Sequence, residues 1–329
     1  MLRSIQLRAV RCNSIILSIA ISAGSLITGS MMLRCTGASK NILGAGLRPS
    51  CLVIIDGMIM SVNRDYSELL PLGNYAHDSY LCAQPYPHIC LDNFLDAGLV
   101  AKVAAEFPEL GSKGDIRFDD PNQLKLASRG EYRFGPVTRE MVHYLNAQPF
   151  LEYLSALTGI SGLIPDPYFS GGGLHEIPRG GFLKIHADFN RHPSLQLDRR
   201  INLLLYLNEN WEESYGGHLE LWDKEMKACV KKFLPVFNRM VIFNTTDFSY
   251  HGHPDPLNCP ENRSRRSLAL YYYTIGRPGE EVRADNRINT KFMPRARDSA
   301  KMRNYNRIKD FVTNVTPPFI LRLLYKRLK

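Results

Sequence analysis

The stretch GGFLKIHAD, residues 180–188, holds the residues on which the interpretation of this chain depends. It reads as a β-strand that carries a His-x-Asp pair, His186 and Asp188. Because side chains alternate between the two faces of a strand, residues two positions apart point the same way. A second stretch, DFSYHGHPDP at 247–256, supplies His251 sixty-three positions after Asp188 (251 − 188). The sequence thus offers two imidazoles and one carboxylate that could converge on one point.

Five short apolar runs, each bounded by Gly, Pro, Asn or Asp, predict a small β-barrel. They cover residues 180–188, 200–208, 216–223, 238–244 and 265–274. In the last run Arg265, Ser267, Ala269 and Tyr271 share one face, which suits an interior that holds a ligand. Arg266 begins the opposite face, which is otherwise apolar or aromatic and suits packing against helices.

The set His186, Asp188 and His251 is typical of Fe(II) in non-haem oxygenases, because such a ligand set leaves coordination positions open on the ion. Catalytic zinc sites are the main alternative, since they also combine two histidines with a carboxylate. His253 is an alternative to His251 as the second histidine ligand, because the two residues are two positions apart in HGHP and would lie on the same face of a strand. Each residue alone could be an ordinary core or turn residue, and the surrounding strands are what favour a metal site.

The order of these elements resembles the Fe(II)/2-oxoglutarate dioxygenases, in the branch similar to prolyl 4-hydroxylases. The resemblance runs from about Pro87 to Thr274 and includes H-x-D, LYLNENW, GGHLELWD, FLPVFNRMVIF, the distal histidine and a basic residue opening the last strand. It implies a mainly β fold, a double-stranded β-helix (jelly roll) with buttressing N-terminal helices. It also implies that His186, Asp188 and His251 are the iron ligands.

The resemblance further implies a site for 2-oxoglutarate. Arg265 and Ser267 match the family's R-x-S, whose arginine binds the far carboxylate, and Tyr206 matches a tyrosine that bonds to the same carboxylate. An arginine can bond both oxygens of a buried carboxylate at once. Fourteen positions separate His251 from Arg265 (265 − 251), more than the family commonly shows. Arg266 and Arg263 therefore stay open as alternatives.

The expected activity is hydroxylation of an unactivated C–H bond, with Fe(II) as cofactor, 2-oxoglutarate and O2 as co-substrates, release of succinate and CO2, and ascorbate as reductant. A prolyl residue of a peptide or protein is the expected target. A small molecule or glycolipid is the first alternative, and a non-catalytic jelly-roll binding module is the second. The candidate substrate residues are Tyr168, His175 and Tyr271. The first two lie in YFSGGGLH, which lacks the context of a phosphate-binding loop and is expected to be a flexible segment over the barrel mouth.

Composition predicts one large domain with appendages. Residues 1–60 read as a targeting, anchor or non-folding upstream segment, because residues 1–55 contain no Asp or Glu. Met58 and Met60 are alternative starts. Residues 61–160 are expected to form a helical support region without catalytic residues, followed by the jelly-roll core at 161–276 and a basic tail at 277–329.

The tail carries fourteen Lys and Arg residues against five Asp and Glu, a difference equal to the formal net charge of +9 for the whole chain. Its end, PFILRLLYKRLK, could form a basic helix in weak contact with a membrane surface, or a solvated basic face on the barrel. No motif indicates nucleic-acid binding.

Seven cysteines without disulfide or metal spacing favour a reducing compartment, so we expect a cytoplasmic catalytic domain unless the N-terminal segment is a transit peptide or signal anchor. The sequence leaves the oligomeric state open.

Overall fold

The structure is a computed structural model, and it describes residues 69–281 and 289–315. The helices are α1 (Leu69–Leu81), α2 (Ala97–Ala105), α3 (Pro136–Leu145), α4 (Gln148–Thr158) and α5 (Ala300–Val315). The strands are β1 (His88–Asp92), β2 (Ile116–Asp120), β3 (Gln123–Ala127), β4 (Ile164–Pro165), β5 (Gly173–Pro178), β6 (Phe182–Ala187), β7 (Asp198–Tyr206), β8 (Leu219–Trp222), β9 (Cys229–Phe233), β10 (Arg239–Asn244), β11 (His251–His253), β12 (Ser264–Thr274) and β13 (Lys291–Phe292).

The strands form one continuous antiparallel sheet that curls into a nearly closed barrel. Its order is β1-β10-β7-β12-β5-β3-β6-β11-β8-β9, with β2 beside β3, β4 beside β12 and β13 beside β6. The run β10-β7-β12-β5 makes one half of the barrel and β6-β11-β8-β9 makes the other, with β3 between the two halves. This arrangement is the jelly roll that the sequence predicts, and the fold prediction is confirmed.

The helices cover the outer face of the β10-β7-β12 half. Leu268, Leu270 and Tyr272 of β12 are buried in one cluster with residues of α1, α3 and α4. Tyr272 also donates a hydrogen bond from its hydroxyl to the Leu145 carbonyl at the end of α3 (3.0 Å). Each buried leucine contributes about 1.5–3 kcal/mol. The apolar face of the 265–274 run therefore packs against helices, as its alternation predicts.

Close approach of α1 and α4 depends on a glycine. A Cβ added to Gly73 would lie 2.8 Å from the Tyr153 carbonyl oxygen and 2.9 Å from the Ala156 Cβ. Such distances are too short for carbon, so Gly73 lets the two helices pack with their backbones in contact. The next helix, α3, begins with Pro136 at its first turn, and the Glu106 carboxylate accepts hydrogen bonds from the amides of Val137 (3.0 Å) and Thr138 (2.8 Å).

Three expectations about the limits of the core differ from the structure. Within 61–160, which we expect to be helical, the chain also forms β1, β2 and β3. The expected flexible segment at 168–175 ends in β5, which pairs with β12. In the tail, β13 pairs with β6 at Phe292↔His186, and Arg295 is buried in ion pairs with Asp298 and Asp255 (both 2.9 Å). The tail thus contributes one strand and buried charges to the barrel.

Two expectations lie outside the described residues. The N-terminal segment at 1–60 and the end of the tail at 318–329 both fall there. Within 69–281 and 289–315, no helix is both long and apolar enough to cross a membrane.

Candidate active site

The strands β6 and β11 bring the three predicted metal ligands together. His186 and His251 are directly opposite each other in the antiparallel register, and Asp188 follows immediately after the end of β6. One ligand atom from each of the three residues lies within 4.8 Å of the others, and all three side chains are buried. The Asp188 carboxylate is 3.5 Å from the His186 Nε2 and 3.4 Å from the His251 Nε2.

Backbone carbonyls fix the orientation of both imidazoles. The Nδ1 of His186 lies 2.8 Å from the Lys184 carbonyl oxygen, and the Nδ1 of His251 lies 2.9 Å from the Ser249 carbonyl oxygen. A carbonyl oxygen only accepts, so each Nδ1 carries the hydrogen and each Nε2 presents a lone pair. This is the arrangement by which proteins orient histidine ligands of metals.

Two side chains of β7 hold the carboxylate of Asp188. Its Oδ2 accepts hydrogen bonds from Asn202 Nδ2 (2.7 Å) and Arg199 Nη2 (3.0 Å). Asn202 and Arg199 are three positions apart, and an ordinary strand would place them on opposite faces. The pairing with β12 shifts between Tyr272 and Tyr273, so that Arg200 becomes an extra residue on β7. This bulge puts both donors on the interior face.

The surroundings keep Asp188 and His186 in the protonation states that a metal requires. Burial alone raises the pKa of Asp188, but the charges of Arg199 and His251 bring it well below its usual value. Burial, followed by the charge of His251, lowers the pKa of His186. At neutral pH the site therefore offers an ionised carboxylate and a neutral His186 imidazole.

Arg265 lies in the barrel interior without an acidic partner. It is only 4% exposed, and it forms no ion pair with any described residue. Its Nε donates to the Gly217 carbonyl (2.8 Å) and its Nη2 donates to the Tyr206 hydroxyl (3.2 Å). Tyr206 packs among buried residues of β8 and β10, one strand from each half of the barrel. Because Tyr206 accepts from Arg265, its own hydrogen remains available to a further acceptor.

The other predicted residues of this region are placed as follows. Ser267 is buried and opposite Tyr206 in the β12–β7 register. Arg266 lies on the outer face, 3.2 Å from Glu176 and over the ring of Phe107. Arg263 is bound to loop carbonyls at Glu209 and Asn210. Of the three candidate arginines, only Arg265 is in the interior.

His253 is buried but is not part of the His186/Asp188/His251 cluster. The residue is 3% exposed, and neither ring nitrogen has a hydrogen-bond partner among the described residues. Burial, and next the charge of Arg265, lowers its pKa well below the usual value, so the ring is neutral. An unsatisfied buried donor costs about 1–3 kcal/mol. The geometry resolves the ambiguity between the two histidines, since only His251 joins His186 and Asp188.

A cavity of about 220 Å³ opens beside the cluster, with His186, Asp188 and Arg199 in its wall. Two of the predicted substrate residues, His175 and Tyr271, also line it. Tyr168 does not, since its side chain is 62% exposed and lies against His192 instead. Arg265 and Tyr206 are not among the lining residues. Burial, and next the charge of Lys125, lowers the pKa of His175 to about 3, and the charge of Arg265 acts in the same direction.

One wall of this cavity comes from the β2–β3 hairpin, which the sequence interpretation missed. On β3 the lining residues are Gln123, Lys125 and Ala127, which alternate along one face, and β2 contributes Ile116 and Phe118 in the same way. The turn DDPN, with alternating residues on either side, is a hairpin signal in the sequence. Arg199 was missed as well, because only the bulge reveals which of Arg199 and Arg200 points inward.

The residues present fit both Fe(II) and 2-oxoglutarate. Two imidazoles and one carboxylate suit Fe(II) better than a thiolate set would, and no cysteine belongs to the cluster. Arg265 is a buried cation that has no carboxylate partner among the described residues. The far carboxylate of 2-oxoglutarate would supply that partner. The jelly roll and this site together define the class of a non-haem iron oxygenase.

Comparison with known proteins agrees with that class. Residues 172–273 match the family model of the 2OG-Fe(II) oxygenase superfamily, and this part of the chain is a domain of that superfamily. The matched region includes His186, Asp188, His251 and Arg265. The predicted superfamily is thereby confirmed for residues 172–273.

Among individual proteins, the chain is 34% identical over 79 residues to prolyl 3-hydroxylase OGFOD1 of Mus musculus, which covers 23% of this chain and 14% of that protein. It thus spans about one seventh of the length of this curated relative. A prolyl-4-hydroxylase of Pseudomonas putida aligns over 62% of this chain and 100% of its own, with 19% identity and a TM-score of 0.43. A prolyl hydroxylase of Trichoplax adhaerens, solved with a peptide of hypoxia inducible factor, aligns over 64% of this chain and 94% of its own, with 18% identity and a TM-score of 0.44.

Proposed function

We propose that this protein hydroxylates an unactivated C–H bond, with Fe(II) held by His186, Asp188 and His251 and with 2-oxoglutarate as co-substrate. The observation that carries the proposal is the buried cluster of the three ligands at the wall of a cavity. The bound iron and 2-oxoglutarate would supply the oxidative chemistry, in which O2 is consumed and succinate and CO2 are released. The protein supplies the ligands, their orientation and the shielding from water.

The side chains act on the reaction through position and charge. Arg265 and the free hydrogen of Tyr206 would bind the far carboxylate of 2-oxoglutarate, in a pocket from which water is excluded. Arg199 and Asn202 hold Oδ2 of Asp188, which leaves Oδ1 free to bind the metal. The guanidinium of Arg199 also lies 3.4 Å from the centre of the Tyr271 ring, which fixes that ring in the cavity wall.

We propose a prolyl residue of a peptide or protein as the group that is hydroxylated. The proposal is supported by the local identity to a prolyl 3-hydroxylase and by the match of the central strands to the superfamily. A five-membered ring with few polar groups also suits the apolar part of the cavity wall, where Ile116, Phe118, Leu183 and Phe292 lie.

A small-molecule hydroxylase is the second candidate. The cavity of about 220 Å³ is smaller than the roughly 300–1,000 Å³ of pockets that hold drug-sized ligands, so a molecule that enters it whole would be a small metabolite. A peptide would have to place one residue in the cavity and run across its rim, whereas a small metabolite could enter whole.

The test is release of succinate from 2-oxoglutarate by iron-loaded protein, with and without proline-rich peptides. Stimulation by such peptides, with an added oxygen atom located on proline by mass spectrometry, is the result expected of a prolyl hydroxylase. Succinate release that no peptide increases would instead favour the small-molecule reading. The absence of succinate under every condition, together with iron bound at the site, would contradict the proposed activity and favour a binding module.

Ascorbate is part of the same proposal. Iron that is oxidised between turnovers needs a reductant, and we expect ascorbate to extend the period of linear succinate release. The control is His253→Val, which keeps all three ligands and should retain this response. A rate that stays linear equally long without ascorbate would contradict this part of the proposal.

A further inference from the structure

Lys125 of β3 is a cation in the cavity wall, and no acidic group among the described residues forms an ion pair with it. Its side chain is partly buried, and it forms neither an ion pair nor a hydrogen bond with any described residue. The contact that it does make is with a ring, since its Nζ lies 4.8 Å from the centre of Phe118 on β2. An aromatic face stabilises an ammonium group only in part, by about 0.5–1 kcal/mol where water has access.

The position of Lys125 is fixed by the sheet. β3 pairs with β5 at Ala127↔His175 and with β6 at Gln123↔Leu183. Lys125 lies between these two pairings and on the same face as Gln123 and Ala127, which also line the cavity. The hairpin thus presents the ammonium group to the cavity that His186 and Asp188 also line.

The charges around the cavity do not balance. Asp188 is the only carboxylate among the described lining residues, and it is already bonded to Arg199. Burial lowers the pKa of Lys125 to about 8, Asp188 and Asp120 act to raise it, and Arg199 and Arg265 act to lower it. The cations outnumber the anions even before a metal is considered.

Adding the cofactors leaves positive charge in the cavity. In the proposed function, Asp188 and the near end of 2-oxoglutarate offset the iron, while Arg265 is offset by the far carboxylate. Lys125 remains without a counter-ion among the described residues. Beside it the wall is apolar, with Ile116, Phe118 and Leu183.

We propose that the substrate carries a carboxylate that Lys125 binds, next to an apolar portion that faces the iron. The inference rests on the proposed function, since it describes the substrate of the same site. The carboxylate could belong to a free small molecule, such as an N-acylated amino acid, or to an acidic side chain beside the proline of a peptide. Both sources present the same chemistry to Lys125.

The experiment compares matched neutral and anionic probes. The first pair is N-acetyl-L-proline and N-acetyl-L-prolinamide, and the second is acetyl-Gly-Pro-Glu-amide and acetyl-Gly-Pro-Gln-amide. Binding is measured by calorimetry on protein loaded with Zn(II) and 2-oxoglutarate, which fits the ligand set but does not turn over. Succinate release by iron-loaded protein is measured in parallel, over a range of 2-oxoglutarate concentrations.

The variants are Lys125→Met, which keeps the apolar stem, and Lys125→Glu, which inverts the charge. Lys113→Gln, at an exposed lysine of the preceding loop, is the matched control. We expect wild type and the control to bind the carboxylate member of at least one pair more tightly by about ten-fold to a hundred-fold, the usual range for a hydrogen bond to a charged group. Lys125→Met should abolish this preference, and Lys125→Glu should favour the amide.

The pair that shows the preference identifies the source of the carboxylate. Equal binding of both members of both pairs by wild type, or no binding of any, would overturn the proposal. An unchanged preference in Lys125→Met, together with a higher KM for 2-oxoglutarate, would also overturn the proposal. That result would mean that Lys125 binds the co-substrate and not the substrate. If calorimetry shows the preference and succinate never forms, the substrate inference stands and the proposed activity fails.

Discussion

Replacing Arg265 by methionine should separate co-substrate binding from stability. The guanidinium is 4% exposed and bonded only to Gly217 and Tyr206 among the described residues, so a bound carboxylate would be its first anionic partner. Removing one member of a buried charge pair costs about 3–5 kcal/mol. Each ~1.4 kcal/mol corresponds to a factor of about ten in affinity. The affinity for 2-oxoglutarate should therefore fall on the order of a hundred-fold to several thousand-fold.

The free energy of unfolding of the ligand-free protein should respond differently. Burial lowers the pKa of Arg265, which means that its charged form is destabilised by the surrounding protein. Methionine fills much of the same volume without a charge, so Arg265→Met should unfold within about 1 kcal/mol of wild type, or be more stable.

The assay is calorimetric titration of Zn(II)-loaded protein with 2-oxoglutarate, paired with thermal unfolding of the ligand-free variants. Arg265→Lys should restore only part of the affinity, since an ammonium lacks the planar fork. Arg266→Met and Arg263→Met are the controls, because both side chains lie outside the interior. A large loss in Arg266→Met with none in Arg265→Met would refute the assignment.

Three further outcomes follow from the geometry. The preference for carboxylate probes should fall as pH rises through about 8, where Lys125 loses its proton. In Lys125→Arg the preference should persist to higher pH. A preference that does not change with pH in wild type would count against the site. Gly217→Ala should weaken 2-oxoglutarate binding measured by calorimetry, because the new Cβ would lie 3.0 Å from the Arg265 Cδ. The backbone φ of +76° at this position also disfavours a side chain. Unchanged binding would show that Arg265 tolerates displacement. Arg199→Met should lower metal affinity by about 10–100-fold in a competition with a chelator, since Asp188 loses a hydrogen-bond donor that orients it. Equal affinity would mean that Asn202 alone suffices to orient Asp188.

The barrel strands and the metal cluster could be predicted from the sequence because each relies on a local pattern. The five apolar runs coincide with β6, β7, β8, β10 and β12 to within a few residues. Alternation alone correctly separates Arg265 from Arg266, because β12 keeps its regular pleat at that point. The roles of Arg265, Tyr206 and Ser267 toward 2-oxoglutarate stay predictions.

The remaining parts depend on long-range pairing. Arg199 reaches Asp188 only because of the bulge at Arg200. A bulge reverses which face of the strand the residues beyond it occupy, and the amino-acid composition does not indicate where a bulge lies. His251 and His253 share parity, and only the offset of β11 against β6 separates them. The β2–β3 hairpin was not predicted, because the surrounding region was expected to be helical. Its alternating residues do indicate two strands.

The most direct test of the account is anaerobic metal loading followed by turnover. The apoprotein and its variants Asp188→Ala, His251→Ala and His253→Val are dialysed against Fe(II), and iron content and succinate formation from 2-oxoglutarate are then measured. We expect one iron per chain and succinate formation for wild type and for His253→Val, with both lost in Asp188→Ala and His251→Ala. Iron and succinate at wild-type levels in Asp188→Ala would contradict this expectation.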